Sequence, residues 1–268
     1  MEYFTTSAGL PLHVSESSSG QRTVLFLHGY LETLYVWEDF GAMFSGSSRI
    51  LSLDLPGFGL SGSAPEINTV DHVSDVIFSL LEKLSVPSAD IVAHSMGGYY
   101  ALSFLKSHPE KVRSLALLSS SPYPDTEQTV KRRNDEIGLI LNGKLMTIAH
   151  LSLPNMFARK NLRRMDSLLQ EILEICETHD PLGVAASLRG VAMRPDTSDT
   201  VRSFLSKILF IYGDQDRFYP PEAIGRVRDD FGASRTVVIA DAGHGVFLEQ
   251  PAAVYKAIAD FQLTIGNC

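Results

Sequence analysis

Ser95 stands at the apex of Ala93-His94-Ser95-Met96-Gly97-Gly98, directly after the apolar run Ala89-Asp90-Ile91-Val92. That pattern reads as a strand turning sharply into a helix. A serine hydroxyl is a poor nucleophile until a base takes its proton, so its presentation matters. At such a turn the side chain stands clear of the sheet, and the next backbone N–H is left unpaired at the positive end of a helix dipole. Only small residues fit beside the apex. Gly97 supplies one, and Ala93 stands one methyl group away from the first glycine of the G-x-S-x-G pattern. The competing reading is a plain helix N-cap at Ser95, and two later motifs weigh against it. Lys207-Ile208-Leu209-Phe210-Ile211-Tyr212 is a buried-strand run followed by Gly213-Asp214-Gln215-Asp216. Arg235-Thr236-Val237-Val238-Ile239 is another, followed by Asp241-Ala242-Gly243-His244-Gly245. In a parallel sheet the C-terminal strand ends share one edge, so a serine, a carboxylate and a histidine remote in sequence can meet there. His244 can then take the proton of Ser95, while a carboxylate fixes the imidazole tautomer and stabilises its charged form.

Each of these positions needs a strand behind it, and the flanking chain alternates strands and helices. Residues 2–6 and 11–16 read as two opening strands joined by a turn at Ala8-Gly9, and the serine-rich stretch 15–20 as a hairpin connection. Val24-Leu25-Phe26-Leu27 and Ile50-Leu51-Ser52-Leu53 are further strand runs. Trp37, Phe40 and Phe44 recur at helical spacing, as do Val73, Val76, Ile77, Leu80, Leu81 and Leu84. Pro87 ends that second helix and admits the strand leading to Ser95; Arg113 to Leu118 is the next strand. From about 122 to 200 the strand signal disappears. Leu168, Leu169, Ile172, Leu173 and Cys176 make one apolar helix face, and Leu182, Ala185, Ala186 and Val191 another, before Lys207 resumes the sheet.

With these motifs in order, the sequence resembles the α/β-hydrolase superfamily over nearly its whole length. The likeness is carried by the Ser95 turn, by His28-Gly29 and by Asp54-Leu55-Pro56-Gly57-Phe58-Gly59-Leu60-Ser61. It is completed by Gly243-His244-Gly245 with Leu248-Glu249-Gln250-Pro251. The order serine, carboxylate, histidine is that of the superfamily and not of the two common serine-protease folds. The resemblance implies a mostly parallel eight-stranded α/β sheet with helices on both faces. It also implies a core domain of residues 1–121 and 201–268, and an all-helical cap of residues 122–200 inserted between strands six and seven. By the same likeness Ser95 is the nucleophile, His244 the base, and the backbone N–H groups of Tyr30 and Met96 the oxyanion hole. The family acid closes a G-x-x-D turn, which here is Asp216; Asp214 is the alternative, and could instead brace the turn backbone. Asp54 precedes the serine and fits a structural loop role. A serine at the apex argues against the dehalogenase and epoxide-hydrolase chemistries of relatives that carry aspartate there.

A chain of 268 residues can bury one large core. Its formal net charge of −8 leaves no electrostatic footprint for nucleic acid or an anionic membrane. Cys176 and Cys268 do not form a disulfide framework; Cys176 reads as a buried apolar side chain and Cys268 as a thiol at a frayed end. Residues 1–6 lack the signature of a secretory signal, and no segment approaches ~20 consecutive apolar residues. The expectation is a cytoplasmic protein with no membrane or nucleic-acid partner. No His/Asp/Glu spacing typical of a metal site is present, so neither metal nor cofactor is expected.

Several residues carry two readings. The clusters Lys131-Arg132-Arg133 and Arg159-Lys160-Asn161-Leu162-Arg163-Arg164 read as a rim for a substrate carboxylate or as solvated helix faces, the latter favoured by Asp135, Glu136 and Asp166 among them. His150 and His179 read as structural, and Trp37, Phe157 and Phe218 as core more than substrate contacts. His94 reads as orienting the nucleophile turn and His28 as shaping the oxyanion loop, neither as a proton carrier.

The expected activity is that of a cofactor-free serine hydrolase acting on small carboxylic esters or lactones with a partly apolar acyl group, through an acyl-enzyme. Relatives with the same triad cleave carbon–carbon bonds in vinylogous diketones or act as lyases. Leu188 to Asp196 resembles the cap-exit segment of esterase-like and lyase-like members, so that alternative stands beside the first. A catalytically silent ligand receptor is a third reading, though a receptor needs no base beside a nucleophile. None of these motifs encodes the oligomeric state.

Overall fold

Continuous apolar runs form strands that are buried on both faces. β3 (Arg22–Leu27), β5 (Ala89–His94), β6 (Val112–Leu118) and β7 (Ile208–Gly213) are of this kind, because helices cover the sheet on either side. β1 (Glu2–Ser7), β2 (Leu10–Ser17), β4 (Ser48–Leu53) and the half-exposed edge strand β8 (Thr236–Ile239) complete one sheet in the order β1-β2-β4-β3-β5-β6-β7-β8. The computed structural model describes residues 1–17, 20–46 and 48–265. Only β1–β2 and β2–β4 pair antiparallel; the other five pairings are parallel, so the sheet is the mostly parallel eight-stranded one expected. Ser15, Glu16 and Ser17 differ from the loop reading, since they pair with Ser52, Leu51 and Ile50. The open edge of β4 offers a ladder that outweighs the weak strand preference of serine. Ser18, Ser19 and Cys268 lie outside the described residues.

The helices are α1 (Glu38–Ala42), α2 (Val70–Lys83), α3 (Met96–Ser107), α4 (Glu127–Leu139), α5 (Leu145–Ser152) and α6 (Asp166–Cys176). They continue with α7 (Pro181–Ala192), α8 (Ser198–Ser203), α9 (Pro221–Phe231), α10 (Val246–Glu249) and α11 (Pro251–Ile265). The first predicted helix is shorter than its apolar spacing suggests: a 3-10 turn, Leu34–Trp37, precedes α1. Its aromatic residues are core. Trp37 stacks on Phe247 with ring centres 4.1 Å apart and tilts against Phe26 at 5.1 Å.

Helices α4 to α8 lie in the chain between β6 and β7, and no described residue among them is in a strand. One helical run, Glu127–Met156, is long and apolar enough to cross a membrane by length and composition alone. Its helix is interrupted, however: Gly143 takes φ +74°, a left-handed value that glycine accepts and that breaks the run between α4 and α5. Ile137, Ile140, Leu145 and Ile148 are buried in the fold. α7 is pinned to the loop after β4. Asn68 N–H donates to the Ala186 carbonyl (3.0 Å), and the Ser187 hydroxyl donates to the Pro56 carbonyl (2.8 Å). At Gly190 the approach is so close that a Cβ would lie 1.7 Å from the Asn68 carbonyl oxygen. This part of the helical segment therefore sits on the core as a fixed wall and leaves little room for a hinge.

Candidate active site

At the end of β5 the chain reverses through Ser95, whose φ of +48° and ψ of −112° are strained for a residue with a Cβ. The strain is held from both sides: Ser95 N–H donates to the Leu118 carbonyl (2.9 Å), and Ser120 Oγ donates to the Ser95 carbonyl (2.8 Å). Gly97 is required by contact, since a Cβ there would lie 2.5 Å from the Leu27 carbonyl oxygen. Ala93 is fully buried within the strand, so the methyl group that departs from the usual motif is accommodated. Ser95 is not an N-cap by side chain, since its hydroxyl makes no capping hydrogen bond. It points instead to the far end of the sheet.

There it meets the loop after β8. His244 Nε2 lies 2.8 Å from Ser95 Oγ, and His244 Nδ1 lies 3.1 and 3.0 Å from the two carboxylate oxygens of Asp216. With a carboxylate on Nδ1, that nitrogen carries the proton and Nε2 is left with a lone pair facing the hydroxyl. Asp216 is buried, which acts to raise its pKa. The charge and hydrogen bond of His244 and the Phe218 N–H (2.8 Å) outweigh burial and hold it below the ordinary value. Asp214, the alternative acid, is exposed and accepts from Ala242 N–H (3.3 Å), bracing the turn. Of the two aspartates the structure brings Asp216 to His244. Such a chain of hydrogen bonds can move a proton from an oxygen nucleophile to an imidazole.

Tyr30 and Met96 border the same place. Neither backbone N–H has a hydrogen-bond acceptor among the described residues. The Tyr30 hydroxyl donates to Glu136 of α4 (2.6 Å), which ties this loop to the helical segment. His28 shapes the loop: Nε2 accepts from Leu55 N–H (2.9 Å) and Nδ1 donates to the Gly29 carbonyl (2.8 Å). Burial lowers its pKa, so it remains a neutral strut. Asp54 is likewise structural, accepting from Leu34 N–H and Leu60 N–H at 2.8 and 2.9 Å.

His94 has a partner that local sequence patterning does not reveal. Its Nδ1 lies 3.0 Å from both carboxylate oxygens of buried Glu32, and its Nε2 lies 3.0 Å from the His244 carbonyl oxygen. Both partners are acceptors, so the ring satisfies them together only as an imidazolium. Burial opposes that charge, but Glu32 outweighs it and the His94 pKa stands above its ordinary value. Glu32 is held below its own ordinary value: burial acts to raise it, and His94 and the Gly29 N–H overcome that. One buried ion pair thus links the Tyr30 loop, the residue before Ser95 and the backbone of His244. Its stabilisation is full between the ordinary values, about 4.5 and 6.5. It is lost as pH falls through the lowered Glu32 value or rises through the raised His94 value. Glu32→Gln is expected to destabilise the fold by roughly 3–5 kcal/mol near pH 6, the range for removing one partner of a buried pair. Urea unfolding should show a gap to wild type that is widest near pH 6 and shrinks as pH rises through the raised His94 value; no gap near pH 6 would mean that the pair is uncharged.

Glu249, also buried, performs the equivalent service for the histidine loop. It accepts from Gly243 N–H (2.5 Å), Ala158 N–H (3.0 Å) and Asn161 Nδ2 (2.7 Å), and Gly245 N–H donates to the Met156 carbonyl (2.8 Å). Residues of the helical segment therefore hold the loop that carries His244. A glutamate lodged between Leu248 and a Gln-Pro pair was the only sequence sign of this role, and for Glu32 the sign was a carboxylate just after the apolar pair Tyr30-Leu31.

Ser95 and His244 open on a cavity of about 430 Å³ whose opposite wall comes from the helical segment. Phe218 lines it, 41 % exposed with its ring 4.7 Å from that of His244, and so is not the core residue it resembled in sequence. Trp37 and Phe157 are core. His150 is exposed, and His179 is buried with Nδ1 accepting from Gly59 N–H (2.9 Å), its pKa lowered by burial to about 4. The basic clusters divide. Lys131 pairs with Asp135 on the surface and Lys160 with Asp241, while Arg133 turns inward to Asp125. Among the described residues, no group of three His, Cys, Asp or Glu side chains is placed to hold a metal ion.

Residues 24–257 match a family described as the alpha/beta hydrolase family. The chain is 28% identical over 257 residues to the uncharacterized hydrolase YugF of Bacillus subtilis, covering 90% of each. It is 24% identical over 268 residues to the 2-hydroxy-6-oxononadienedioate/2-hydroxy-6-oxononatrienedioate hydrolase of Escherichia coli, covering 94% of this chain and 91% of that one. Among solved structures, a malate-bound thermophilic esterase from Thermogutta terrifontis is similar with a TM-score of 0.89 at 25% identity, covering 99% of both chains.

Proposed function

The chain belongs to the alpha/beta hydrolase family, and from that premise we propose that it is a cofactor-free serine hydrolase of small carboxylic esters or lactones. The observation that carries this reading is the 2.8 Å contact between Ser95 Oγ and His244 Nε2, with Asp216 behind the imidazole, at the floor of a cavity. Ser95 attacks the acyl carbon as His244 takes its proton. The carbonyl oxygen gathers negative charge and is received by the N–H groups of Tyr30 and Met96. Such donors contribute roughly 3–4 kcal/mol each to the tetrahedral intermediate. The imidazolium returns its proton to the leaving alkoxide, and the bond to it breaks. Water, deprotonated by His244, then releases the acid from the acyl-enzyme and restores Ser95. Residues 122–200 serve as the cap, closing the cavity from above and limiting water during the first step.

A second reading keeps the same three residues and replaces the ester with a carbon–carbon bond beside a ketone. It is favoured by the similarity to the Escherichia coli oxononadienedioate hydrolase along nearly the whole chain. The first experiment needs no choice between them. A fluorophosphonate probe followed by mass spectrometry should give one adduct, on Ser95, and none in His244→Ala. A folded wild-type protein that takes no label would overturn the assignment of Ser95, and labelling elsewhere would move it.

A further inference from the structure

We propose that the cavity beside Ser95 is an anion-recognition site, and that the substrate carries a carboxylate on a part of the molecule that does not react. The proposal rests on the hydrolase reading and names the substrate class for it. The chain as a whole is acidic, with a formal charge of −8. The cavity wall is not. Arg132, Arg133, Arg194 and Arg217 all line it. Glu32 is answered by His94, and the remaining lining acids are Asp125 and Glu136. Four guanidiniums and the His94 imidazolium against three carboxylates leave two positive charges in excess; counting Asp216, behind His244, still leaves one.

The buried part of this wall is itself unbalanced. Asp125 accepts from Arg133 Nε (2.5 Å) and lies 2.7 Å from Arg194 Nη1, so one carboxylate serves two guanidiniums. Their side chains are only 14% and 7% exposed. Arg194 is held in place by the Tyr99 ring, 3.9 Å from its guanidinium carbon, and by the Tyr123 carbonyl (3.0 Å). Glu136 supplies part of the missing charge from α4, yet it is already bonded to the Tyr30 hydroxyl. At the more exposed rim, Arg132 has no ion-pair partner among the described residues, and Arg217 donates only to the Asn155 side-chain oxygen. Burying guanidiniums in excess of carboxylates is costly in an empty cavity and favourable once an anion enters. A concave wall of one sign also draws the opposite charge toward it, and a planar guanidinium matches a carboxylate through two parallel hydrogen bonds. A purely neutral ester would gain nothing from this arrangement.

The test compares esters that differ only in charge. One pair is the p-nitrophenyl monoester of adipic acid and its methyl ester, with the carboxylate on the acyl side. The other is 4-carboxyphenyl butyrate and its methyl ester, with the carboxylate on the alcohol side. Binding of adipate and of adipamide to the wild-type protein is measured in parallel by calorimetry. In at least one pair the charged member is expected to show kcat/KM higher by about ten- to a hundredfold, the ratio that one charge-assisted hydrogen bond supplies. The advantage should shrink as salt is added and fall at least tenfold in the Arg132→Ala/Arg217→Ala double variant. Equal turnover of both members in both pairs, with adipate bound no more tightly than adipamide, would overturn the anion site and leave ester hydrolysis standing. Selective binding of adipate without turnover of any ester would do the reverse.

Discussion

Ser95→Ala is expected to abolish ester turnover, by about 10⁴-fold or more, while leaving a folded protein. The size follows from the role proposed for the hydroxyl, which supplies the bond-forming oxygen and leaves His244 nothing to deprotonate but water. Stability should hardly change. Among the described residues the only hydrogen bond of the Ser95 side chain is to His244, and alanine bears the same Cβ at the strained φ of +48° that the Leu118 and Ser120 contacts to the backbone enforce. The variant and wild type are therefore compared by initial rates on a p-nitrophenyl ester and by thermal unfolding. A melting temperature near wild type with activity retained would remove Ser95 from the mechanism.

Asp216→Asn should lower kcat by about 10³–10⁴-fold, the effect of presenting an amide to a catalytic imidazole. The carboxylate now holds the proton on His244 Nδ1. An asparagine kept in place by the Phe218 and Tyr219 N–H groups accepts those bonds through its oxygen and turns its NH₂ toward the ring. Nδ1 then becomes the acceptor, and Nε2–H faces Ser95 with no lone pair to offer. Asp214→Asn should change the rate by no more than about threefold, as expected for an exposed side chain away from the reacting groups. If the two variants ranked the other way, the acid would have to be reassigned to Asp214.

Those two aspartates also mark how far a sequence can be read. The G-x-x-D spacing distinguishes them only by analogy; the turn that exposes Asp214 and buries Asp216 distinguishes them physically. Much else was legible. The strand runs, the Ser95 turn and the histidine loop are local patterns, in which neighbouring residues dictate one backbone path. The parallel edge on which Ser95, Asp216 and His244 meet follows from strands joined by helices. The arginine cluster at 131–133 was misleading in one member: Lys131 is solvated as its neighbours suggested, whereas Arg133 is turned inward by Asp125, eight residues earlier and before the start of α4. Phe218, an aromatic residue of the kind that usually fills a core, instead lines the cavity beside His244.

By itself, then, the sequence determined where the strand runs fall along the chain, the strand-to-helix turn that carries Ser95 and the edge of the sheet where chemistry would gather, since periodicity and turn geometry are written residue by residue. Only the tertiary structure decided which charges meet. Glu32 reaches His94 across 62 positions, Glu249 binds Ala158 across 91, and Arg133 and Arg194 share Asp125. A buried charge is tolerated only beside its partner, and that partner is whichever group the packing of remote segments brings within about 3 Å.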